Sequence, residues 1–346
     1  MKAVVMHGFG PPEMLRYEEV PDPVPRHGEV RIAVHAATVN RVLDVALRAG
    51  KQPQRGAQPP LIPGVDCAGV VNAVGAGVTR FKPGDRVAAA GTMPLDLCDE
   101  DGADYRGPRG MMGVKRPGGF AEMVVVPACA CDALPQTLGF HDAAVVLRHC
   151  PTAWNLLCNE ARLKPGEWLL VMGAAGNLGT VGIQIAKNVI GARVIATAGS
   201  DERVAIGLGL GADYGINYRT HDLRDEVLRI TGGKGVDVVY DNIANPEALP
   251  KAFRALGYDG RLVTAGAHAG PNVTIDFFHL YDRRITIRGT PGHREADVPR
   301  CFEAVSAGKI KVQIAKVLPL SQAAAAHRMI EADPGMGKIV LDPMRG

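Results

Sequence analysis

The chain has 346 residues, enough for about two domains of ordinary size, each with a core that needs no disulfide or metal to hold it. Apolar residues make up 47% and charged residues 22%, and 39 Lys and Arg against 36 Asp and Glu leave a net charge of +3, a balance that points to neither nucleic acid nor a membrane surface as partner. Aromatic residues are sparse at 5%, whereas 42 glycines exceed the usual share of ~7%, so their positions are the main clue.

The N-terminal stretch MKAVVMHGFG has no charged segment followed by an apolar run and a small-residue cleavage site, and no secretory leader is expected. No apolar run approaches the ~18 residues of a membrane helix. The seven cysteines (67, 98, 129, 131, 150, 158 and 301) are dispersed, which reads as thiols of a reducing compartment and predicts a cytoplasmic protein. Residues 1–135 carry short apolar alternations broken by Gly and Pro: Glu29 to Val34, Ala68 to Val74, Asp85 to Ala89 and Ala121 to Val126. They predict a compact, mostly β domain. From about Asp142 the texture changes. Trp168 to Met172, Arg193 to Thr197, Tyr214 to Asn217, Val236 to Tyr240, Arg261 to Thr264 and Ile285 to Arg288 are short runs, most of them β-branched. Segments of helical spacing lie between them: Thr180 to Ile190, Asp201 to Leu210, Leu223 to Ile230 and Pro246 to Leu256. This alternation predicts an α/β fold with a doubly wound parallel sheet over 136–289. A helix (Ala296 to Ala307) and two strands (Val317 to Leu320, Lys338 to Leu341) follow, so that 290–346 is expected to complete the first domain.

Gly173, Ala174, Ala175, Gly176, Asn177, Leu178 and Gly179 follow the first strand of that sheet and open its helix. A tight turn there brings backbone N–H groups and the positive end of the helix onto a pyrophosphate, which predicts a dinucleotide site. An NAD-selective site holds the ribose 2′-OH with a carboxylate about 20 residues further on. Here that position is Gly199, followed by Ser200 and Arg203, which are suited to a 2′-phosphate and so favour NADPH. The competing reading is that Ser200 or Asp201 caps the next helix while Arg203 faces solvent.

With these residues in view, the sequence resembles the medium-chain dehydrogenase/reductase superfamily, in its quinone oxidoreductase (zeta-crystallin-like) branch. The resemblance rests on Pro63-Gly64-Val65-Asp66-Cys67-Ala68-Gly69, on Val74-Gly75-Ala76-Gly77-Val78 leading to Pro83-Gly84-Asp85-Arg86-Val87, and on Gly118-Gly119-Phe120-Ala121-Glu122. It continues through Thr152-Ala153-Trp154, the glycine loop, Gly211-Ala212-Asp213, Asn217-Tyr218-Arg219 and Gly337-Lys338-Ile339-Val340-Leu341, and covers nearly the whole chain. It implies a GroES-like β domain built from both chain ends, a Rossmann domain between them and an active site in the cleft. It also implies Tyr218 as a 2′-phosphate contact and places Asn40 and Thr152 near the nicotinamide.

Alcohol-oxidising members of the superfamily hold a catalytic zinc that stabilises the developing alkoxide. The ligand positions here read Asn40-Arg41, Val65 in place of His, and Arg148, so no metal is expected; the loop from Gly91 to Gly118, with Cys98 as its one cysteine, cannot form a structural zinc lobe either. Its acidic and basic residues are expected to pack through salt links, to meet a partner subunit, or to be solvated. Without a metal, the natural chemistry is hydride delivery from NADPH to a quinone or an α,β-unsaturated carbonyl, whose conjugation takes up the charge. Asn40 is the candidate polar group at the ring, although Asn40 to Asp44 is one residue longer than the family's Asn-x-x-Asp. Arg148 is a candidate to stabilise an enolate and His149 to supply a proton, or only one of the two faces the site. Cys67 reads as a small buried apolar residue, and His268, Phe277, Phe278 and Tyr281 as substrate-side residues or core. A displaced-ligand alcohol dehydrogenase and a non-enzymatic NADPH-binding module are the alternatives. The strand Ile285 to Arg288 is expected at a sheet edge, where family members pair into homodimers.

Overall fold

A computed structural model describes residues 1–102, 104–332 and 337–345, which include every candidate residue named above. The chain forms two units, Met1–Arg148 with Val312–Gly346, and His149–Lys311.

The first unit is organised around the strand Glu29–Val39, whose eleven residues are long enough to serve two partners on one edge. Met123–Pro127 pairs antiparallel with its first half and Lys338–Asp342 with its end, through Ile339 to Val39 and Leu341 to Ala37. On the other edge it pairs with Asp66–Val74, followed by Arg86–Ala90 and Cys131–Ala133, while Ile314–Pro319 lies beyond the C-terminal strand. The chain's last strand thus completes the sheet begun near its start. Val30, Ile32, Val34, Cys67, Val71 and Val124 fill one core of this unit, and Met6, Val39, Phe120, Leu318, Ile339 and Leu341 another.

The second unit holds six parallel strands in the order Tyr214–Asn217, Arg193–Ala198, Trp168–Met172, Val236–Asp241, Leu256–Thr264 and Thr286–Gly289. The strand order reverses after Trp168–Met172, the switch point at which such folds bind ligands beyond the strand ends. That strand is buried from Leu169 to Met172, in keeping with its continuous apolar run.

The units differ from the expected division at two places. Residues 136–148, most of a helix that runs Phe140–Trp154, fall in the first unit. Residues 290–311, with the helix Asp297–Ser306, fall in the second because polar contacts tie them there: Asn155 Nδ2 donates to Gly292 O at 3.0 Å, Asn159 Nδ2 to Asp297 Oδ1 at 3.1 Å and Gln184 Nε2 to Lys311 O at 3.1 Å. The Gly91–Gly118 loop is held by salt links and caps within its own unit. Arg116 Nη2 donates to the buried Glu29 Oε1 at 2.7 Å, and Glu100 accepts the N–H groups of Thr79 and Arg80 at 2.5 and 2.7 Å. Among the described residues no helix is long and apolar enough to cross a membrane.

Candidate active site

In the second unit the first strand ends at Gly173, whose φ of +75° suits a residue without Cβ. The N–H groups of Gly173 and Ala174 donate to Thr197 O at 3.1 and 2.9 Å, and Gly176 N–H closes the turn on Gly173 O at 3.0 Å. Gly176 is the N-cap of the helix Asn177–Gln184. A Cβ on Gly179 would stand 2.2 Å from Gly173 O, so glycine alone lets the helix start in contact with the strand end. The first N–H groups of that helix have no earlier carbonyl to bind and are left for an anion. Behind the loop lies Asn242, 5% exposed, whose Nδ2 has no hydrogen-bond partner among the described residues. A buried donor left open is costly unless a ligand takes it. Glycine cradle and open amide together fit a dinucleotide.

The strand Arg193–Ala198 leads to Gly199. A Cβ there would lie 3.1 Å from Tyr218 Oη and 3.2 Å from Arg219 Nε, so both side chains converge on this glycine. Ser200 caps the helix Asp201–Gly209, its Oγ accepting Arg203 N–H at 3.4 Å. Its hydroxyl also hydrogen-bonds Glu202, whose carboxyl is held below the usual range by its own backbone N–H and by Ser200. Asp201 accepts from Asn217 Nδ2 at 2.8 Å, and Arg203 is exposed. Thr152 is half-buried on the helix Phe140–Trp154.

In the first unit the structure assembles a buried polar cluster on the 29–39, 66–74 and 338–342 strands. Asp66 is fully buried; its Oδ1 accepts Thr38 N–H and its Oδ2 accepts Thr38 Oγ1–H, both at 2.7 Å. Asn40 Nδ2 donates to the same Oδ2 at 3.0 Å and to Thr38 Oγ1 at 3.1 Å, while Lys338 Nζ donates to Asn40 Oδ1 at 2.5 Å. The extra residue between Asn40 and Asp44 is absorbed by a single π-helical turn, Arg41–Val45, in which Val45 N–H reaches Asn40 O at 3.1 Å. Asp44 is thereby returned to the cluster, where it accepts Asn40 N–H at 2.8 Å and Gly64 N–H at 3.2 Å.

Charges in this cluster are perturbed as burial requires. Burial, and then the neighbouring Asp66, push Asp44 up to about 7 against the N–H bonds and the cation that favour its charged form. Burial pulls Lys338 down to about 8, with Asp66 opposing that shift. Arg148 is likewise lowered by burial and held up by Asp66 and Asp44, though a guanidinium stays charged. Asp44, Asp66 and Lys338 are buried together, and the half-buried Arg148 acts on them through its field. Asn40 takes part as a locked amide, its oxygen turned to Lys338 and its nitrogen to Asp66 and Thr38. His149, next to Arg148 on the same helix, is half-buried. Cys67 is fully buried beside Asp66, and burial pushes its thiol up, as a small core residue requires. The aromatic cluster is neither core nor packed lining: Phe277, Phe278 and Tyr281 are 72%, 65% and 68% exposed, on a helix with no buried residue. Among the described residues no three His, Cys, Asp or Glu side chains gather as a metal-ligand set.

Three participants escape a reading of the sequence for chemistry. Lys338 opens the apolar run Ile339-Val340-Leu341, and a lysine on a strand whose other residues are all buried is the signal that it carries. Arg219 adjoins Tyr218 in a motif already conspicuous. Asn242 follows the fourth parallel strand and has no local signal, because only the sheet brings it to the glycine loop.

Known proteins resemble the chain over its length. Residues 26–136 match the alcohol dehydrogenase GroES-like domain and residues 178–307 the zinc-binding dehydrogenase family. A 2-haloacrylate reductase of Burkholderia sp is 33% identical, with 99% of this chain and 98% of that protein covered. A quinone oxidoreductase of Sus scrofa is 31% identical over 99% of this chain and 97% of its own. Among solved structures, an NAD-dependent alcohol dehydrogenase superposes with a TM-score of 0.85 at 36% identity, covering 99% of both chains.

Proposed function

This chain belongs to the medium-chain dehydrogenase/reductase superfamily, in its quinone oxidoreductase branch, and we propose that it is a zinc-independent, NADPH-dependent enzyme that reduces a quinone or an α,β-unsaturated carbonyl. We further propose that it works in the cytoplasm as a homodimer. The observation that carries the reading is the buried cluster in which Lys338 and Arg148 accompany Asp44 and Asp66. The two cations offset the two carboxylates, so no net negative charge is left there to draw in a divalent cation. They suit a reaction whose negative charge is spread by substrate conjugation and needs only a nearby cation to settle against. Both named relatives fit such an acceptor, since a 2-haloacrylate is an activated alkene and a quinone a conjugated dione.

Reduced nicotinamide, when bound, supplies a hydride. The backbone of Gly173, Ala174, Ala175, Gly176, Asn177, Leu178 and Gly179 holds the pyrophosphate, and Asn242 offers its open Nδ2–H to the bound dinucleotide. Ser200, Arg203, Tyr218 and Arg219, ranged around a glycine where NAD-selective sites carry an acid, support recognition of a 2′-phosphate. Arg148 is the candidate for charge stabilisation, and Asn40 for orientation. His149 and Thr152 remain candidates for proton supply and for contact with the ring. A second reading, an NAD-dependent alcohol dehydrogenase, is favoured by the 36% identity to the solved structure of that description.

NADPH and NADH oxidation against a panel of quinones, enones and aldehydes, together with elemental analysis of the purified protein, separates the two. Turnover of quinones or enones with NADPH and no bound zinc is expected. Alcohol oxidation with NAD and one zinc per chain would replace this proposal by the second.

A further inference from the structure

Lys338 is 5% exposed, and the one hydrogen bond of its ammonium among the described residues runs to a neutral amide oxygen, Asn40 Oδ1. Among the described residues no carboxylate lies within ion-pair distance of Nζ, although Asp66 and Asp44 act on it through the field, as does Arg148 with the opposite sign; Arg55 acts in turn on Arg148. Burying an ammonium without a carboxylate in contact is costly, and a strand of Ile, Val and Leu has no structural need of one. The ammonium has one visible effect on its surroundings. An amide is free to sit with oxygen and nitrogen exchanged, but donation from Lys338 requires the oxygen of Asn40 on that side, which fixes Nδ2 toward Asp66 and Thr38.

Resting on the functional reading above, we infer that Lys338 is a positioning residue of the reduction: it locks the Asn40 amide and sets a positive charge against the carboxylates of Asp44 and Asp66. In the reduction of an enone, the β-carbon gains a hydride from the reduced nicotinamide, which is thereby oxidised. The alkene electron pair moves to the α-carbon and carbonyl oxygen as an enolate. A proton from water then forms the α-carbon bond, giving the saturated ketone. Lys338 neither gives nor takes an atom in this sequence. It lowers the energy of the charged stage by its field, and it does so only while protonated.

The test compares wild type, Lys338→Met and Lys338→Arg by steady-state kinetics with NADPH and an enone from pH 6 to 10, alongside NADPH binding by fluorescence and thermal melting. Wild type is expected to lose kcat above a pH of about 8, as the ammonium deprotonates. Lys338→Met is expected to lower kcat by about 100-fold while NADPH affinity stays within about 2-fold. Lys338→Arg, which cannot deprotonate in this range, is expected to recover most of kcat and to lose the fall near pH 8, whereas a step near 7 from Asp44 is common to both proteins. Should Lys338→Met fail to fold, the arginine variant decides alone. An unchanged alkaline fall in Lys338→Arg, or unchanged kcat in Lys338→Met, overturns this inference and leaves the functional reading standing. A wild type that turns over neither enone nor quinone overturns both.

Discussion

Single side chains decide two properties that the backbone leaves open. The first is cofactor choice. Tyr218 and Arg219 both approach Gly199, and Arg203 lies one helical turn beyond the capping Ser200. If these groups bind a 2′-phosphate, Arg219→Ala and Arg203→Ala each raise KM for NADPH about 10-fold, the size of a charge-assisted hydrogen bond, and leave KM for NADH unchanged. Equal losses with both cofactors would assign the arginines to folding instead. The second is the pH dependence of stability. Asp44 titrates at about 7 in the folded chain against an ordinary value near 3.8, so the native state binds its proton more tightly than the unfolded state. With more protons on the native side, stability from this residue is full below pH 4 and declines as pH rises toward 7. Asp44→Asn cannot ionise. It sacrifices one of the two accepted N–H bonds, a cost of about 1 kcal/mol at low pH. Urea unfolding between pH 5 and 7.5 is expected to show a flatter slope for the variant, so that its deficit shrinks or reverses at the upper end.

At the scale of elements, glycine at close contacts and glycine at open positions have opposite consequences. Gly179 faces a backbone oxygen that cannot yield, so Gly179→Ala must displace the helix start from the strand end, at about 1–3 kcal/mol of stability and a large loss of NADPH affinity. Gly209, at the end of the helix Asp201–Gly209, has nothing within 4 Å of an added Cβ, and Gly209→Ala is expected to stabilise by about 0.5–1 kcal/mol. Thermal melting and NADPH titration of the two variants check this contrast. The same elements show what a sequence makes legible. The six parallel strands are legible because each is a short run between turn signals, most of them β-branched, and the glycine loop because its context is local. The π-helical turn is not. The spacing from Asn40 to Asp44 is one residue longer than the family's Asn-x-x-Asp, and one wider turn restores Asp44 to the backbone of Asn40. The place of Lys338 was hidden for another reason: 298 residues separate it from Asn40, and only the pairing of the last strand with Glu29–Val39 brings them together. Local pattern reports a residue's own element; a buried polar cluster is a property of sheet order.

At the scale of the whole molecule, the proposed homodimer is argued from what the second unit leaves uncovered. Its sheet ends at Thr286–Gly289, which pairs on one side only, with Leu256–Thr264, and all four of its residues are exposed. Ile287 is 46% exposed on that edge, and the preceding helix Phe277–Asp282 exposes Phe277, Phe278 and Tyr281. An open strand edge beside an apolar surface invites uncontrolled pairing unless something covers it, and the cover that leaves no further edge is a second copy placed by a two-fold axis, strand against the same strand. On this argument the purified chain is expected to sediment as a dimer at micromolar concentration. Ile287→Pro removes an N–H from the open edge and an apolar contact at once, so it is expected to yield monomers whose melting temperature no longer depends on protein concentration. A wild type that sediments as a monomer at tens of micromolar would show that the edge is tolerated uncovered, through its shortness and the charge of Arg288, and would remove the dimer from the functional proposal.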